Sequence, residues 1–454
     1  MSEEAVADIL RQGRIYEVGG AVRDRMLPGD TSVKDRDYLV TGIPYADLSA
    51  ILKRHGRVDL VGQSFGVIKF TQLRDGQMHT CDISLPRTEH STGWGHRDFD
   101  VSFDPDITVE DDLVRRDFTV NAMAVSLEDM SLIDPLGGLA DLKQRRLRMV
   151  HEHSFEEDPL RMLRAVQFAA RFEFDIEEKT FLAMKQQAAG INTVSAERIA
   201  EELNKLLTLA RRPSIGFRLM NESGLLEHVL PELHSCVGVD QPGPYHAYDV
   251  FEHTLHSVDA APRRLRVRMA ALFHDIFKPI AKRPVEGGAT FYGHEVQGAK
   301  VARKALNRLR YSKEFIRDVA VLVERHMFTT DVTDKGMRRL VRRVGVHLIF
   351  DLLDLRRADV VAQGKGGTTD DVDEFEQAIR DELDRQPPLS TSDLVLDGHD
   401  LMKRYGLKPG PAVGKLLNQL LEVVLDDPQE NTVEKLTAVA DGLFDDIKND
   451  CDRE

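Results

Sequence analysis

Arg14-Ile15-Tyr16-Glu17-Val18-Gly19-Gly20-Ala21-Val22-Arg23-Asp24, followed by Lys34-Asp35-Arg36-Asp37-Tyr38-Leu39-Val40, decides the fold of the first third of the chain. RIYEV reads as a strand, the glycine pair as a turn, and AVRD as the opening of a helix. Backbone N–H groups at such a helix start can hold a phosphate, with Arg23 close by. RDYLV reads as a second strand, and residues i and i+2 of a strand share a face. Asp35 and Asp37 therefore point the same way and can share a divalent ion. Magnesium prefers hard oxygen ligands at about 2.1 Å, and two ions about 3.5–4 Å apart can activate an attacking hydroxyl and stabilise a leaving group together. Such a site needs a third acid. Asp82, in the later strand HTCDISL, is the candidate, because its neighbours Cys81 and Ile83 would face the other side.

Outward from this stretch, β-rich runs continue as VDLVG, GVIKFTQL, HTCDISL and VNAMAVSL, with helix-like AVRDRML and YADLSAILKRH between them. This is an α/β head. After Arg148 the pattern changes to long amphipathic helices such as PLRMLRAVQFAARF, AERIAEELNKLLTLA and RPSIGFRLMNESGLLEHVL. GKGGTTDDVDEFEQ near Gly364 marks a loop, and DRQPPLSTSD near Pro387 a boundary before a last helical piece. Between Pro86 and Thr108, RTEHSTGWGHRDFDVSFDPDI holds the sole tryptophan, Trp94, and reads as a mobile loop.

The chain has 454 residues, more than one hydrophobic core usually serves. No apolar run approaches a membrane span, and the acidic, polar opening shows no signal peptide. A cytoplasmic protein is expected. Cys81, Cys236 and Cys451 are odd in number and far apart, which fits inert thiols rather than a disulfide framework. A formal charge of −15 excludes a protein that coats nucleic acid nonspecifically. The average hides segregation: Leu420–Glu454 carries eleven acidic and three basic residues, whereas Lys300–Arg343 carries thirteen basic and five acidic. Arg338, Arg339, Arg342 and Arg343 are then either part of a basic docking surface or a solvated helix face.

In Glu157-Asp158-Pro159-Leu160-Arg161-Met162-Leu163-Arg164 the proline suits a first helical turn, with Asp158 as an N-cap type. Asp158, Arg161 and Arg164 fall broadly on one face, apart from the apolar stripe of Met162, Val166 and Ala169. A carboxylate beside a guanidinium suits the pairing edges of cytosine and adenine, which offer an amino donor next to a ring-nitrogen acceptor; uracil and guanine offer a carbonyl and an N–H instead. The alternative is a capping Asp with an i, i+3 salt bridge.

GGAVRD, DRD, DLVRRDFTVNAM, DPLGGLADL and EDPLRMLRAVQFAARF, in this order, resemble the class II tRNA nucleotidyltransferases, which comprise the CCA-adding enzymes, bacterial poly(A) polymerases, and CC-adding and A-adding enzymes. The resemblance runs from about Ile15 to at least Leu207. It implies an α+β chain: a polymerase-β-like nucleotidyltransferase head followed by a mostly α-helical body. By it, Asp35 and Asp37 are the magnesium-binding catalytic pair, and Gly19, Gly20 and Arg23 approach the triphosphate. Arg115, Arg116, Asp117 and Asn121 surround sugar and phosphates, and Asp158, Arg161 and Arg164 choose the base. CTP, ATP and the tRNA 3′ end are the implied partners. In the family, a flexible loop at the place of residues 86–108 accompanies addition of the terminal A.

Further on, His253, His274-Asp275, His294, His326 and Asp359 are strung along helices. His253, His274, Asp275 and Asp359 resemble the H…HD…D set of HD phosphohydrolases, and His294 with His326 could serve a second ion. Imidazole ligands suit Mn, Ni, Co or Fe better than magnesium. In some CCA-adding enzymes such a domain removes 2′,3′-cyclic phosphates or 2′-phosphates from RNA ends. The expected domains are a head at 1–147, a nucleotide-selecting and RNA-binding neck at 148–232, an HD-type domain at 233–385 and a helical tail at 386–454. The leading expectation is a CCA-adding enzyme; the alternatives are an A-adding enzyme, a poly(A) polymerase, and, from another class, an HD phosphohydrolase whose head docks RNA.

Overall fold

The structure is a computed structural model that describes residues 1–27, 36–59, 67–74, 76–91, 99–242 and 247–451. Asp35 and Trp94 lie outside the described residues. The chain forms two compact units, Met1–His234 with Arg308–Arg310, and Ser235–Asn307 with Tyr311–Glu454. It is an α+β protein.

In the first unit, α1 (Glu3–Leu10) leads into β1 (Arg14–Val18), α2 (Gly20–Met26), β2 (Asp37–Thr41) and α3 (Tyr45–Lys53). Then come β3 (Arg57–Asp59), β4 (Val67–Arg74) and β5 (Gln77–Ser84), and later β8 (Ala124–Ser126) and β9 (Leu132–Ile133). They form one sheet in the order β3-β4-β5-β2-β1-β8-β9, with β2 and β5 parallel. Strand alternation divides its side chains between two cores. Ile15, Tyr38, Val40, Ile68, Phe70 and Ile83 pack with α1 and α3 on one face. Tyr16, Val18, Leu39, Ala122 and Ala124 pack on the other. The run read as VNAMAVSL is a strand only from Ala124, because Thr119–Asn121 turns as a 3₁₀ segment.

The stretch expected to be a mobile loop carries two paired strands, β6 (Arg87–Ser91) and β7 (Phe99–Phe103), in register from Arg87 opposite Phe103 to Ser91 opposite Phe99. The loop reading weighed the glycines and charges of the middle. The alternating run FDVSF carries a strand period, and RTEHS, which has no apolar alternation, pairs with it along the backbone.

The neck segments are helical as read. α4 (Leu160–Phe172) and α5 (Ala196–Leu209) pack against each other. The second unit is built from α6 (Val250–Ala260), α7 (Leu265–Phe273), α8 (His294–Arg308), α9 (Lys313–Arg325), α10 (Asp334–Val344), α11 (Val346–Ala362) and α12 (Asp370–Asp384), then α13 (Pro411–Asp426) near the end. Among the described residues no helix is long and apolar enough to cross a membrane. Burial raises the thiols of Cys81 and Cys236 to about 11 and about 12, so both stay protonated at neutral pH.

Three of the four arginines of the basic run on α10 are engaged inside the unit, and Arg343 is exposed. Arg338 is buried and donates to the carbonyl oxygens of Leu425 (2.7 Å) and Asp426 (2.9 Å) at the end of α13, and to Glu382 on α12 (2.8 Å). Arg339 and Arg342 both reach Glu422, and Arg339 also Asp426. A cation at a helix C-terminus meets the negative end of the helix dipole, so the acidic tail and the basic helix satisfy each other. Removing one partner of a buried charged set leaves the other uncompensated, at a cost of about 3–5 kcal/mol. Arg338→Met should therefore lower the midpoint of thermal unfolding by several degrees, whereas Arg342→Met, which loses a half-exposed pair, should change stability by at most about 1 kcal/mol. Scanning calorimetry of both variants checks this contrast.

Candidate active site in the head and metal centre in the helical unit

Sheet register assembles the first site. Val18, the last residue before the glycine turn, pairs with Asp37, and Asp37 pairs with Asp82 across the parallel β2–β5 ladder. Directly opposed residues share a face, so two exposed carboxylates stand side by side next to the Gly19–Gly20 turn. Lys69 follows Asp82 in the same row. Hard, adjacent carboxylate oxygens fit magnesium.

Gly19 has φ +71°, and a Cβ there would come within 2.8 Å of the Arg116 guanidinium. Arg116 is held by Asp112 at 3.1 Å. Arg23 is buried and donates from Nη1 to Asn121 Oδ1 (2.6 Å) and from Nε to Asp24 (2.7 Å), while its guanidinium lies over the Phe172 ring at 4.5 Å. Asn121 donates in turn to Asp117 (3.0 Å), whose other oxygen accepts from Arg164 Nε at 2.7 Å. Burial pushes the Asp117 carboxyl up, but Arg164, Asn121 and the Phe118 N–H together hold it below the usual range. Arg23, Asn121, Asp117 and Arg164, drawn from GGAVRD, RRDFTVNAM and the α4 helix, thus form one polar chain.

Asp158 and Arg161 are not paired to each other. Asp158 precedes α4 in extended backbone, so helical spacing does not apply to it; its carboxylate accepts from Arg198 on α5 at 2.8 and 3.4 Å. Arg161 donates to the Arg115 carbonyl (2.9 Å), the Ser154 hydroxyl (3.0 Å) and Glu157 (3.1 Å). The i, i+3 salt bridge is therefore absent. Sequence reading missed Asp24, Arg198, Phe168 and Phe172. Only Arg198, at the start of an amphipathic helix, left a visible trace. DPLGG has an architectural part: Asp134 accepts from Gly138 N (2.6 Å) and Leu139 N (2.9 Å), and a Cβ on Gly138 would meet the Thr119 carbonyl oxygen at 2.1 Å.

In the second unit His253 (α6), His274 and Asp275 (just after α7), His294 (α8), His326 (after α9) and Asp359 (α11) are all buried and converge. His253, His274 and Asp359 form one group of potential ligands, and Asp275, His294 and His326 another. The Nε2 atoms of His253 and His274 are 3.2 Å apart, and those of His294 and His326 3.3 Å apart. Each ring places Nδ1 on a backbone carbonyl oxygen: Ala362 for His253, Ala271 for His274, Phe291 for His294 and Val323 for His326. A carbonyl oxygen only accepts, so each Nδ1 carries a proton and each Nε2 faces inward, an arrangement in which the two groups could ligate a transition metal. Burial pulls His274 down, but Asp275 and Asp359 beside it raise it above the usual imidazole range. Asp275 faces both groups, with Oδ2 3.3 Å from His274 and Oδ1 3.3 Å from His294. Lys278 Nζ lies 2.7 Å from its Oδ2. Burial pushes Asp275 up, but His274 and Lys278 outweigh it and hold it well below the usual range. Burial also drives His326 down to about 3, the neutral form that ligates.

The sheet with its row of acids beside a glycine turn, continued by helices that feed guanidinium groups into the same place, defines a nucleotidyltransferase. Residues 15–148 match the poly(A) polymerase head domain, 173–237 the probable RNA and SrmB-binding site of polymerase A, and 292–440 a putative domain 2 of tRNA nucleotidyltransferases. The chain is 41% identical over 319 residues to a multifunctional CCA protein of Aromatoleum aromaticum, covering 69% of this chain and 74% of the relative. It is 38% identical over 333 residues to an A-adding tRNA nucleotidyltransferase of Deinococcus radiodurans, covering 69% and 75%. The Bacillus stearothermophilus CCA-adding enzyme in complex with CTP shares the fold, with a TM-score of 0.71 at 22% identity over 99% of this chain and all of that one. The chain belongs to the class II tRNA nucleotidyltransferase family.

Because Gly19 needs a left-handed backbone and has Arg116 against it, Gly19→Ala should raise KM for the nucleotide by roughly tenfold or more, the scale of a misplaced binding group. Steady-state kinetics at saturating tRNA measure this, and an unchanged KM would contradict the placement of the turn.

Proposed function

We propose that the chain completes tRNA 3′ ends, adding C, C and A from CTP and ATP. The register that puts Asp37 beside Asp82 at the glycine turn carries this reading, and the identity to multifunctional CCA proteins supports it. Asp35, Asp37 and Asp82 hold magnesium, which when bound lowers the cost of ionising the tRNA 3′-hydroxyl and of releasing pyrophosphate. Arg23, Arg115 and Arg116 orient the triphosphate, while Gly19 and Gly20 let backbone N–H groups approach it. Asp117 and Asn121 hold Arg164 and Arg23 in place. Asp158 and Arg161 read the pairing edge with the lone pairs and N–H groups left over by Arg198 and the Arg115 carbonyl. With U or G both groups would be mismatched, each costing about 1–3 kcal/mol, which together discriminates by roughly two to four orders of magnitude. A tRNA substrate places this work in the cytoplasm.

Supplied with tRNA ending before CCA, magnesium and labelled nucleotides, the protein should add two residues with CTP alone and a third only when ATP is present. Absence of CTP incorporation, with ATP added to tRNA ending in CC, would make it an A-adding enzyme, and long A tails a poly(A) polymerase. Asp37→Ala should lower the rate by at least about a thousandfold, the scale of removing a group that acts in the transition state.

A second activity is favoured by the six converging ligands of the helical unit: hydrolysis of phosphate esters at RNA ends, with a Mn, Ni, Co or Fe centre. His274→Ala, or removal of the metal by a chelator, should abolish hydrolysis of a 2′,3′-cyclic nucleotide. Nucleotide addition by His274→Ala should stay within about twofold, as for sites that share no partners. Persistent hydrolysis in the metal-free protein would dismiss the second site.

A further inference from the structure

Glu17 is an acid in the middle of a sheet, on β1 between β2 and β8, and it is 1% exposed. An uncompensated carboxylate there is strongly unfavourable, so its partners matter. It is ion-paired with Arg25 of α2, and its Oε1 lies 3.7 Å from Nε of Arg36. Glu17 opposes Tyr38 in the β1–β2 ladder, whereas Val18 opposes Asp37. Alternation therefore puts Glu17, Tyr38 and Arg36 on the reverse side of the sheet from Asp37. Arg36 immediately precedes Asp37, the first residue of β2, and Arg25 belongs to the helix that begins at the glycine turn. One buried carboxylate is hydrogen-bonded to Arg25 and turns its other oxygen, which has no hydrogen-bond partner among the described residues, towards Arg36.

We infer that Glu17 is a positioning residue for nucleotide addition: through Arg36 and Arg25 it fixes the entry of β2, and with it the magnesium-binding acids, against the glycine-turn helix. The inference rests on the proposed role of Asp37. It gives a buried side chain that touches neither substrate nor metal control over how well the metal is held. Outer groups that orient metal ligands typically change affinity or rate by about 10–100-fold when lost.

The test is the rate of ATP addition to tRNA ending in CC, followed as a function of magnesium concentration in Glu17→Gln, Arg36→Gln and the double variant of the full chain. Glu17→Gln should raise half-saturating magnesium by roughly tenfold, and excess magnesium should recover part of the rate. The double variant should be no worse than the poorer single one, and Glu17→Asp should restore part of the wild-type magnesium curve. An unchanged magnesium curve in Glu17→Gln would overturn the inference. So would a loss of rate that merely follows a lower unfolding temperature, or losses that multiply in the double variant. Asp37→Ala in the same assay separates the two levels: if it is inactive while Glu17→Gln behaves as wild type, only the inference fails, and if it is fully active both fail.

Discussion

A single buried carboxylate, Asp117, organises the nucleotide-binding part of the first unit. It accepts from Asn121, from the Phe118 N–H at 2.8 Å and from Arg164, and through Asn121 it orients Arg23 beside the glycine turn. Loss of one member of such a buried charged set costs about 3–5 kcal/mol, comparable with much of a domain's net stability. The head, which carries the acids, and helix α4, which carries Arg161 and Arg164, therefore share one electrostatic knot. Phe168 and Phe172 close it from above, each facing the Arg23 guanidinium at 5.2 and 4.5 Å. Under the proposed function, nucleotide binding and base choice would depend on the same few hydrogen bonds.

The helical unit solves a different problem by similar means. Its four imidazoles are oriented by backbone carbonyl oxygens, and Asp275 stands between two groups of ligands. The exposed acids of the head offer only oxygen donors, and nitrogen donors dominate here, so in the proposed function the two centres would take different metals. The charge pattern follows the same economy of partners. Two acids of the C-terminal stretch, Glu422 and Asp426, hold Arg339 and Arg342 of α10, so part of the segregation visible in the sequence is folded onto itself.

Much of this was legible in the sequence. RIYEV, RDYLV and HTCDISL are adjacent strands, and the two-residue period that gives Asp37 and Asp82 a face on their own strands is a local property, whereas the register that sets them opposite each other is long-range. The histidine and aspartate set of the helical unit was visible because His274-Asp275 is a dipeptide and the order of its partners resembles a known family pattern. What stayed hidden depends on long-range pairing. Arg198 reaches Asp158 across 40 residues, Arg164 reaches Asp117 across 47, and Arg338 reaches the end of α13 across 87. Spacing within a helix suggested an Asp158–Arg161 pair, but Asp158 lies in extended backbone outside that helix. The strands flanking residues 92–98 were overlooked because composition was weighed above alternation. Glu17 looked like an ordinary strand residue, since nothing in RIYEV tells which face is covered.

The most direct measurement of whether the Asp117 knot works as one unit is a double-mutant cycle on Arg23→Met and Arg164→Met, read as kcat/KM for ATP on tRNA ending in CC. Residues that act together are strongly non-additive. The double variant is predicted to lose little more than the worse single variant, with a coupling of about 1–3 kcal/mol. Losses that multiply, with coupling near zero, would show that the two arginines act separately and would contradict the account.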